Sequence, residues 1–248
     1  MAFELTEEQK MLQNSVREWA QKEFSLEYAR KCDQEHIFPR DLILKAAKQG
    51  FVGATIPERY GGQGLSVLSF CLLLEQLATA EPTLTGPIYC CAFGSEQIER
   101  FGNEEQKMKY LPKTASGKWI ACAAYTEPNA GTDLQAITST AEKKDNGWVI
   151  NGEKIFITNA PVADYGLILV RTAKPEKPRS TKGMSMLVAD DMSRRNDVQI
   201  RDLHPKMGFN ATLTGDVFYD DCRVPLDALV GEEGGGFYQA MSFFDLTR

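Results

Sequence analysis

The sequence is poor in histidine and has no excess of positive charge. Its 248 residues include two histidines, His36 and His204, and the net charge is −6 at pH 7. Two histidines are too few for a histidine-rich metal site and leave little material for a Ser-His-Asp triad. A negatively charged chain without a dense Lys/Arg stripe is not expected to bind nucleic acid. We therefore predict no metal site and no nucleic-acid partner.

Long apolar runs and paired-cysteine motifs are missing as well. No apolar run approaches the roughly 20 residues of a transmembrane helix, so no membrane partner is predicted. Residues 1–8 are acidic and lack the basic start and apolar centre of a secretion signal, so we expect a cytoplasmic protein. No C-x-x-C spacing occurs, and buried thiols in a reducing compartment are expected. The cysteines are Cys32, Cys71, Cys90, Cys91, Cys122 and Cys222.

The first half of the chain has the spacing of a helical bundle, residues 1–117. Thr6 suits an N-cap before an amphipathic helix, and Pro39 suits the start of another. Residues 66–80 are apolar on nearly all sides, which predicts a buried helix. A further helix is predicted from about residue 83 to residue 100.

The second half changes to short apolar runs separated by Gly, Asn, Asp and Pro. This pattern predicts a β-barrel or sandwich over residues 118–232. Residues 233–248 combine a glycine-rich stretch with the start of a long helix. The expected fold class is α+β: an N-terminal α-helical bundle, a middle β domain and the beginning of a C-terminal helical domain that is truncated here.

A polar turn after an apolar run is the most informative stretch. Residues 119–124 are strand-like, and Pro128, Asn129 and Gly131 then force a turn. Free N–H groups and short hydroxyl side chains in such a turn suit a planar, acceptor-rich ligand or a phosphate. About twenty residues later, the pair Asn151-Gly152 predicts a hairpin turn before an alternating strand.

Together these stretches resemble the acyl-CoA dehydrogenase family. In that family a Thr-Glu-Pro-x-Ala-Gly-Ser/Thr-Asp turn and a Lys-x-Trp/Phe-Ile-Thr-Asn strand hold the isoalloxazine ring of FAD. Residues 126–133 and 154–159 match the two motifs, and residues 57–64 match a Pro-Glu-x-Tyr-Gly-Gly-x-Gly loop of the family. The resemblance covers essentially the whole chain, although family members continue into a third, helical domain.

The resemblance implies FAD as the cofactor, held largely by backbone groups of the turn. Thr126 would lie against the pyrimidine end of the flavin, and Thr158 would donate to flavin N5. Phe156, where many members have Trp, would lie by the ring. The implied cofactor-binding residues are Ala123, Ala124, Tyr125, Thr126, Gly131, Thr132, Phe156, Ile157 and Thr158.

The resemblance also implies an acyl-CoA substrate, because residues 245–248 match the family's Asp-x-x-Arg contact to CoA. The alternative is a surface Asp–Arg pair. The implied substrate-binding residues are Thr132, Phe244, Asp245, Thr247 and Arg248, with Ser180 or Thr181 also near CoA. Further candidates for the acyl pocket, which could equally be core residues, are Cys90, Cys91, Phe93 and Ser95.

The implied activity is that of an oxidoreductase of fatty-acid β-oxidation. It would convert an acyl-CoA to a trans-2-enoyl-CoA and pass electrons to an electron-transfer flavoprotein. No catalytic base is assigned: most members carry a Glu in the third domain and a minority carry it at the position of Thr247, where threonine cannot serve. Glu127 and Asp133 are interpreted as structural.

Other functions stay open on the same residues. One is an enoyl-CoA reductase, an acyl-CoA oxidase or a flavin monooxygenase relative. Another is a non-catalytic flavin- or acyl-CoA-binding subunit. The sequence does not define the acyl chain. The resemblance implies a homo-oligomer, a homotetramer or a dimer.

Overall fold

The structure, a computed structural model, describes residues 4–247 apart from Glu176 and Pro178. Within these residues the chain begins with helices, continues as a sheet and ends in one more helix. The helices are α1 (Glu7–Glu23), α2 (Leu26–Gln34), α3 (Arg40–Lys48), α4 (Val67–Ala80), α5 (Pro82–Cys90), α6 (Ser95–Phe101), α7 (Glu104–Ala115) and α8 (Gly236–Thr247). The α+β class and this order of helical and β parts are confirmed.

The strands form one mixed sheet in the order β6-β7-β3-β2-β4-β5-β8, and β1 pairs with β4 in parallel. Their bounds are β1 (Ala121–Ala124), β2 (Thr140–Lys144), β3 (Gly147–Thr158), β4 (Tyr165–Arg171), β5 (Met184–Asp190), β6 (Val198–Asp202), β7 (Thr214–Pro225) and β8 (Leu229–Val230). Every residue of β4 is buried, so the centre of the sheet is part of the core. The predicted domain limits at 117 and 232 fall between elements and remain predictions.

Local sequence signals account for the helix starts. Thr6 caps α1 in a capping box with Gln9, and Asn103 caps α7 in the same way. Pro39 stands directly before α3, as predicted. None of the helices among the described residues is long and apolar enough to cross a membrane.

Two helix predictions were wrong. The helix predicted from about 83 to 100 is interrupted, because the chain turns after Cys90. Gly94, directly before α6, adopts φ +100°, a left-handed conformation that a continuous helix does not contain. The predicted burial of residues 66–80 fails as well. In α4 the buried side chains are Leu73, Gln76 and Leu77, whereas Val67 and Leu68 are more than half exposed. Apolar character alone does not specify what a helix packs against.

The hairpin turn predicted at Asn151-Gly152 was also wrong, since both residues lie inside β3. The β2–β3 turn lies just earlier, where Lys144 pairs with Gly147. Gly152 instead allows a close approach, since a Cβ there would lie 2.3 Å from the Oγ of Ser139. The glycine therefore brings Ser139 against β3, close to the polar turn described below.

Candidate functional site

The polar turn is a closed loop at the end of β1. The Glu127 N–H donates to the Ala130 carbonyl and the Ala130 N–H to the Glu127 carbonyl, each at 3.0 Å. Pro128 and Asn129 at its tip are exposed. These bonds fix the backbone from which the following Gly-Thr-Asp segment departs.

A buried carboxylate supports this turn from behind. The Glu127 side chain is 3% exposed and accepts from the Thr138 N–H at 2.6 Å and the Thr138 hydroxyl at 2.9 Å. It also accepts from the Ser139 N–H at 3.0 Å. Its remaining partner is the Lys154 ammonium at 2.7 Å. A carboxylate with this many donors is an acceptor fixed in one place.

Lys154 is fully buried and connects the turn to two strands. Besides Glu127, its ammonium donates to the Tyr125 carbonyl at 3.3 Å and to the Leu169 carbonyl at 2.6 Å. Lysine has three donors, and all three have acceptors here. The side chain thus links the turn, β3 and β4 at one point.

Burial and charge act on this pair in opposite directions. Burial would raise the pKa of Glu127, but the Lys154 ammonium and the hydrogen bonds outweigh it and hold that pKa below its usual value. Burial lowers the pKa of Lys154 to about 8, although Glu127 opposes this change. Both groups are therefore charged at neutral pH.

Phe156 presents its ring to solvent from a strained backbone. Its φ is +58°, and its side chain is 66% exposed. The register between β3 and β7 shifts between Lys154 and Ile157, so Phe156 belongs to a bulge. A left-handed conformation is costly for a bulky residue, and such outliers concentrate at functional sites.

A second carboxylate holds the bulge. Asp216 of β7 is 3% exposed and accepts from the Phe156 N–H at 3.2 Å. It also pairs with the guanidinium of Arg201, a side chain that is 64% exposed. This second pair thus has one buried member and one member in solvent.

The structure brings the two motifs of the resemblance together. The Ile155 N–H donates to the Thr126 carbonyl at 2.9 Å, which joins the turn directly to β3. Of the predicted cofactor residues, Gly131, Thr132 and Phe156 are exposed, and Ala123, Thr126 and Thr158 are half-buried. Ala124, Tyr125 and Ile157 are buried, so they could contact a ligand through backbone atoms or after a rearrangement.

Unused donors concentrate in this region. Among the described residues, the backbone N–H groups of Thr126, Gly131 and Thr132 have no acceptor, and neither do the hydroxyls of Thr126, Thr132 and Thr158. Donors of this kind beside an exposed aromatic ring fit the planar, acceptor-rich edge of a flavin. The residues present are therefore compatible with FAD.

The predicted substrate residues are only partly described. Phe244 is half-buried, with its ring 5.9 Å from that of Tyr125 in an edge-on arrangement, and Asp245 is exposed. The side chain of Thr247 and all of Arg248 lie outside the described residues. Thr132 lies on the same turn as the flavin candidates.

The loop after β4 approaches the same turn. Ser180 is buried, and its carbonyl accepts from the Arg171 guanidinium at 3.1 Å, while Thr181 is half-exposed. The Arg179 side chain pairs with Asp133 at 3.1 Å. The candidate CoA residues at 180 and 181 are therefore next to the turn.

The candidate acyl-pocket residues lie at the end of α5 and beyond it. Cys91 and Ser95 are buried, and the Cys91 thiol donates to the Ile88 carbonyl at 3.0 Å. Phe93 packs edge-on against Phe243 at 5.7 Å. The Cys90 carbonyl accepts from Asn159, as described next.

Asn159 connects the helical part to the site. It is buried, and its amide donates to the Cys90 carbonyl at 2.7 Å and to the Ala121 carbonyl at 3.1 Å. It immediately follows Thr158, so one side chain connects the ends of α5 and β3 with the start of β1. The Cys90 carbonyl thereby has two donors, since the Phe93 N–H also donates to it at 3.0 Å.

Sequence reasoning did not identify Lys154, Asp216 or Asn159 as site residues. The available signal was a lysine directly before an apolar stretch of the strand, Lys154, with an acid of opposite sign in the turn motif. Three carboxylates at the turn and the bulge are engaged in ion pairs: Glu127 with Lys154, Asp216 with Arg201 and Asp133 with Arg179. None of them is presented as a free base.

Comparison with known proteins gives a consistent result. Residues 6–118 match the family model of the acyl-CoA dehydrogenase N-terminal domain, and residues 122–222 match that of the middle domain. An acyl-CoA dehydrogenase of Bacillus subtilis is 36% identical over 98% of this chain and 63% of its own length. Acryloyl-CoA reductase (NADH) of Anaerotignum propionicum is 34% identical over 100% of this chain and 62% of its own length.

Solved structures agree with these relatives. The glutaryl-CoA dehydrogenase complex with glutaryl-CoA has a TM-score of 0.91 at 31% identity, over 100% of this chain and 62% of that one. PigA with FAD and proline has a TM-score of 0.90 at 28% identity, over 100% and 64%. A chain in a structure of the electron transferring flavoprotein of Acidaminococcus fermentans has a TM-score of 0.89 at 35% identity, over 99% and 63%. The chain thus spans about three-fifths of the length of these proteins.

Proposed function

Because this chain belongs to the acyl-CoA dehydrogenase family, we propose that it binds FAD and acts in the α,β-dehydrogenation of an acyl-CoA thioester. The product would be a trans-2-enoyl-CoA. FAD, when bound, supplies the hydride acceptor of this chemistry. The chain's own residues would hold and orient the cofactor and the thioester.

One observation carries this proposal: a turn with unused donors is joined by a hydrogen bond to the strand that carries an exposed aromatic ring on a strained bulge. Thr126 and the Gly131 and Thr132 N–H groups would meet the acceptor-rich end of the flavin, and Thr158 would donate near its centre. Phe156 would pack against the ring plane. Because the buried pairs already fix these groups, binding would require little reorganisation.

The remaining parts of the proposal rest on family membership. Phe244, Asp245, Thr247 and Arg248 are proposed to contact the acyl-CoA, with Thr132 between cofactor and substrate. No residue of the chain is proposed as the base. An electron-transfer flavoprotein as acceptor, a role in β-oxidation and a homotetramer or dimer are proposed on the same basis. A cytoplasmic location is a separate proposal that does not rest on the family.

A reductase is the second candidate, and a specific relative favours it. Acryloyl-CoA reductase (NADH) aligns with all of this chain at 34% identity, and it is defined by the reverse reaction. The geometry of the turn suits either direction, because it would hold the same ring. A non-catalytic flavin-binding subunit is a third candidate, supported by the engaged state of the nearby carboxylates.

Absorption spectroscopy of the purified chain separates these candidates. We expect added FAD to bind with a shifted flavin band, and an acyl-CoA to bleach it if the chain is a competent dehydrogenase. Reduction of an enoyl-CoA with NADH would favour the reductase, and bound flavin that no substrate bleaches would favour the non-catalytic subunit. Failure to bind FAD would contradict the cofactor proposal.

A pair of variants tests the location of the cofactor. Thr126→Val removes one of the unused hydroxyls and should weaken FAD binding several-fold. Thr140→Val changes an exposed threonine of β2 and serves as the matched control. Equal affinities in the two variants would place FAD elsewhere.

A further inference from the structure

Lys154 holds the residues on both sides of Thr126. Its ammonium binds the Tyr125 carbonyl at 3.3 Å and the Glu127 carboxylate at 2.7 Å. The next residue, Ile155, donates its N–H to the Thr126 carbonyl at 2.9 Å. Three consecutive residues of the turn are therefore bound by two consecutive residues of β3.

This arrangement leaves specific groups of the turn free. The Thr126 N–H and hydroxyl have no acceptor among the described residues, while the atoms on either side are held. The Tyr125 and Leu169 carbonyls accept from the donors of the buried ammonium that Glu127 leaves unused, so the same side chain also binds the backbone of the turn and of β4. These bonds fix the position of the turn relative to β4, since the Lys154 ammonium lies 3.3 Å from the Tyr125 oxygen and 2.6 Å from the Leu169 oxygen.

We propose that Lys154 is a positioning residue for FAD, which sets the place of the turn that would hold the pyrimidine end of the flavin. The inference rests on the proposed function, since it concerns the same cofactor site. Glu127 anchors Lys154, and Lys154 in turn positions the backbone on both sides of Thr126. The ammonium acts through the turn and does not touch the cofactor.

The opposing interpretation is that the pair only stabilises the fold. Replacing a buried ion pair by uncharged side chains of similar volume often preserves stability, whereas removing one partner does not. A Glu127→Gln/Lys154→Met double variant therefore removes the ammonium without leaving an unpaired charge. A purely structural role predicts that this variant binds FAD like the wild type.

The decisive experiment is a titration of the double variant with FAD, monitored by flavin fluorescence or by the flavin absorption band. We expect a folded protein with at least a tenfold weaker affinity. When both proteins are measured without FAD, backbone hydrogen exchange of residues 125–132 should be faster in the double variant than in the wild type. Lys109→Met is the control, because it removes a lysine from an exposed pair with Asp190 and should leave both readouts unchanged.

Each outcome decides a separate question. Wild-type affinity and exchange in the double variant would overturn the positioning role. Failure of the wild-type chain to bind FAD would overturn the cofactor proposal, while faster exchange at 125–132 would still establish that Lys154 holds the turn. If the double variant does not fold, FAD bound to the wild type should slow exchange at 125–132 and at 154–155 together, and slowing at only one segment would overturn the inference.

Discussion

The two halves of the candidate site are held by pairs of different character. Behind the turn, Glu127 and Lys154 are both buried, and each has further hydrogen-bond partners besides the other. Behind the bulge, Asp216 is buried, but its partner Arg201 extends into solvent. An ion pair thus holds the backbone of the turn in the interior, and another holds the backbone of the bulge at the surface.

Because of this difference, the stability of the two halves should depend on their cations to different degrees. A buried carboxylate that loses its cation retains an uncompensated charge, which is costly. When the cation lies in water, water and salt already screen the pair, so less is lost when that cation is removed. We therefore expect the turn to depend on Lys154 far more than the bulge depends on Arg201.

The largest effect is expected for Lys154→Met. At pH 7 it should lower the free energy of unfolding by about 3–5 kcal/mol, because Glu127 would stay buried without its partner. Denaturant unfolding monitored by circular dichroism measures the loss. A loss below about 1 kcal/mol would show that the turn does not depend on the interior pair.

Lowering the pH should reduce the difference in unfolding free energy between the wild type and Lys154→Met. The pKa of Glu127 is lowered in the folded chain, so its stabilising contribution is complete above its ordinary value of 4.5 and is lost as pH falls through the folded-state value. The unfolding free energies of the wild type and Lys154→Met should therefore converge in acid. A difference that grew on acidification would contradict the assigned direction.

A smaller effect is expected for Asp216→Ala. This change removes the acceptor of the Phe156 N–H and should cost about 1–3 kcal/mol. Glu142→Ala removes an exposed carboxylate from a surface pair with Lys144 and is the control. Similar losses in the two variants would mean that the bulge does not need its buried acceptor.

Phe156→Gly and Phe156→Ala should differ in stability by a still smaller amount. Both variants lose the exposed ring, but glycine also relieves the left-handed conformation, which costs an L-residue about 1–2 kcal/mol. The glycine variant should be the more stable of the two by about 1 kcal/mol in thermal or denaturant unfolding. Equal stability would show that the bulge relaxes when the ring is removed.

The smallest effect is expected for Arg201→Gln. Its side chain lies mostly in solvent, so stability should change little, and the change should fade as salt is added. Unfolding at low and high NaCl concentration measures it. A loss comparable to that of Lys154→Met would remove the contrast between the two pairs.

Much of this contrast could not be predicted from the sequence. The turn and the strand that follows it were recognisable as motifs, and their family is now shown. The burial of Lys154 depends on Glu127, a residue far back in the chain. The outward position of Phe156 depends on the register with β7. Such non-local contacts leave no periodic signal in a single sequence.

The same limit explains the errors in secondary structure. Asn-Gly is a strong hairpin signal, yet Gly152 is used for its lack of a side chain against Ser139. Residues 66–80 are apolar enough for a buried helix, but burial depends on which elements pack against each face. Helix caps at Thr6 and Asn103 were predictable because their partners lie three residues away.

Asn159 has a consequence for selectivity. Its two donated bonds set the separation between the end of α5 and the start of β1, and Thr158 precedes it directly. The Ala121 N–H also donates to the Cys91 carbonyl at 2.8 Å, so backbone and side chain together join the helical part to the sheet at this point. Selection among ligands that contact both parts would then come from side chains rather than from movement of one part against the other.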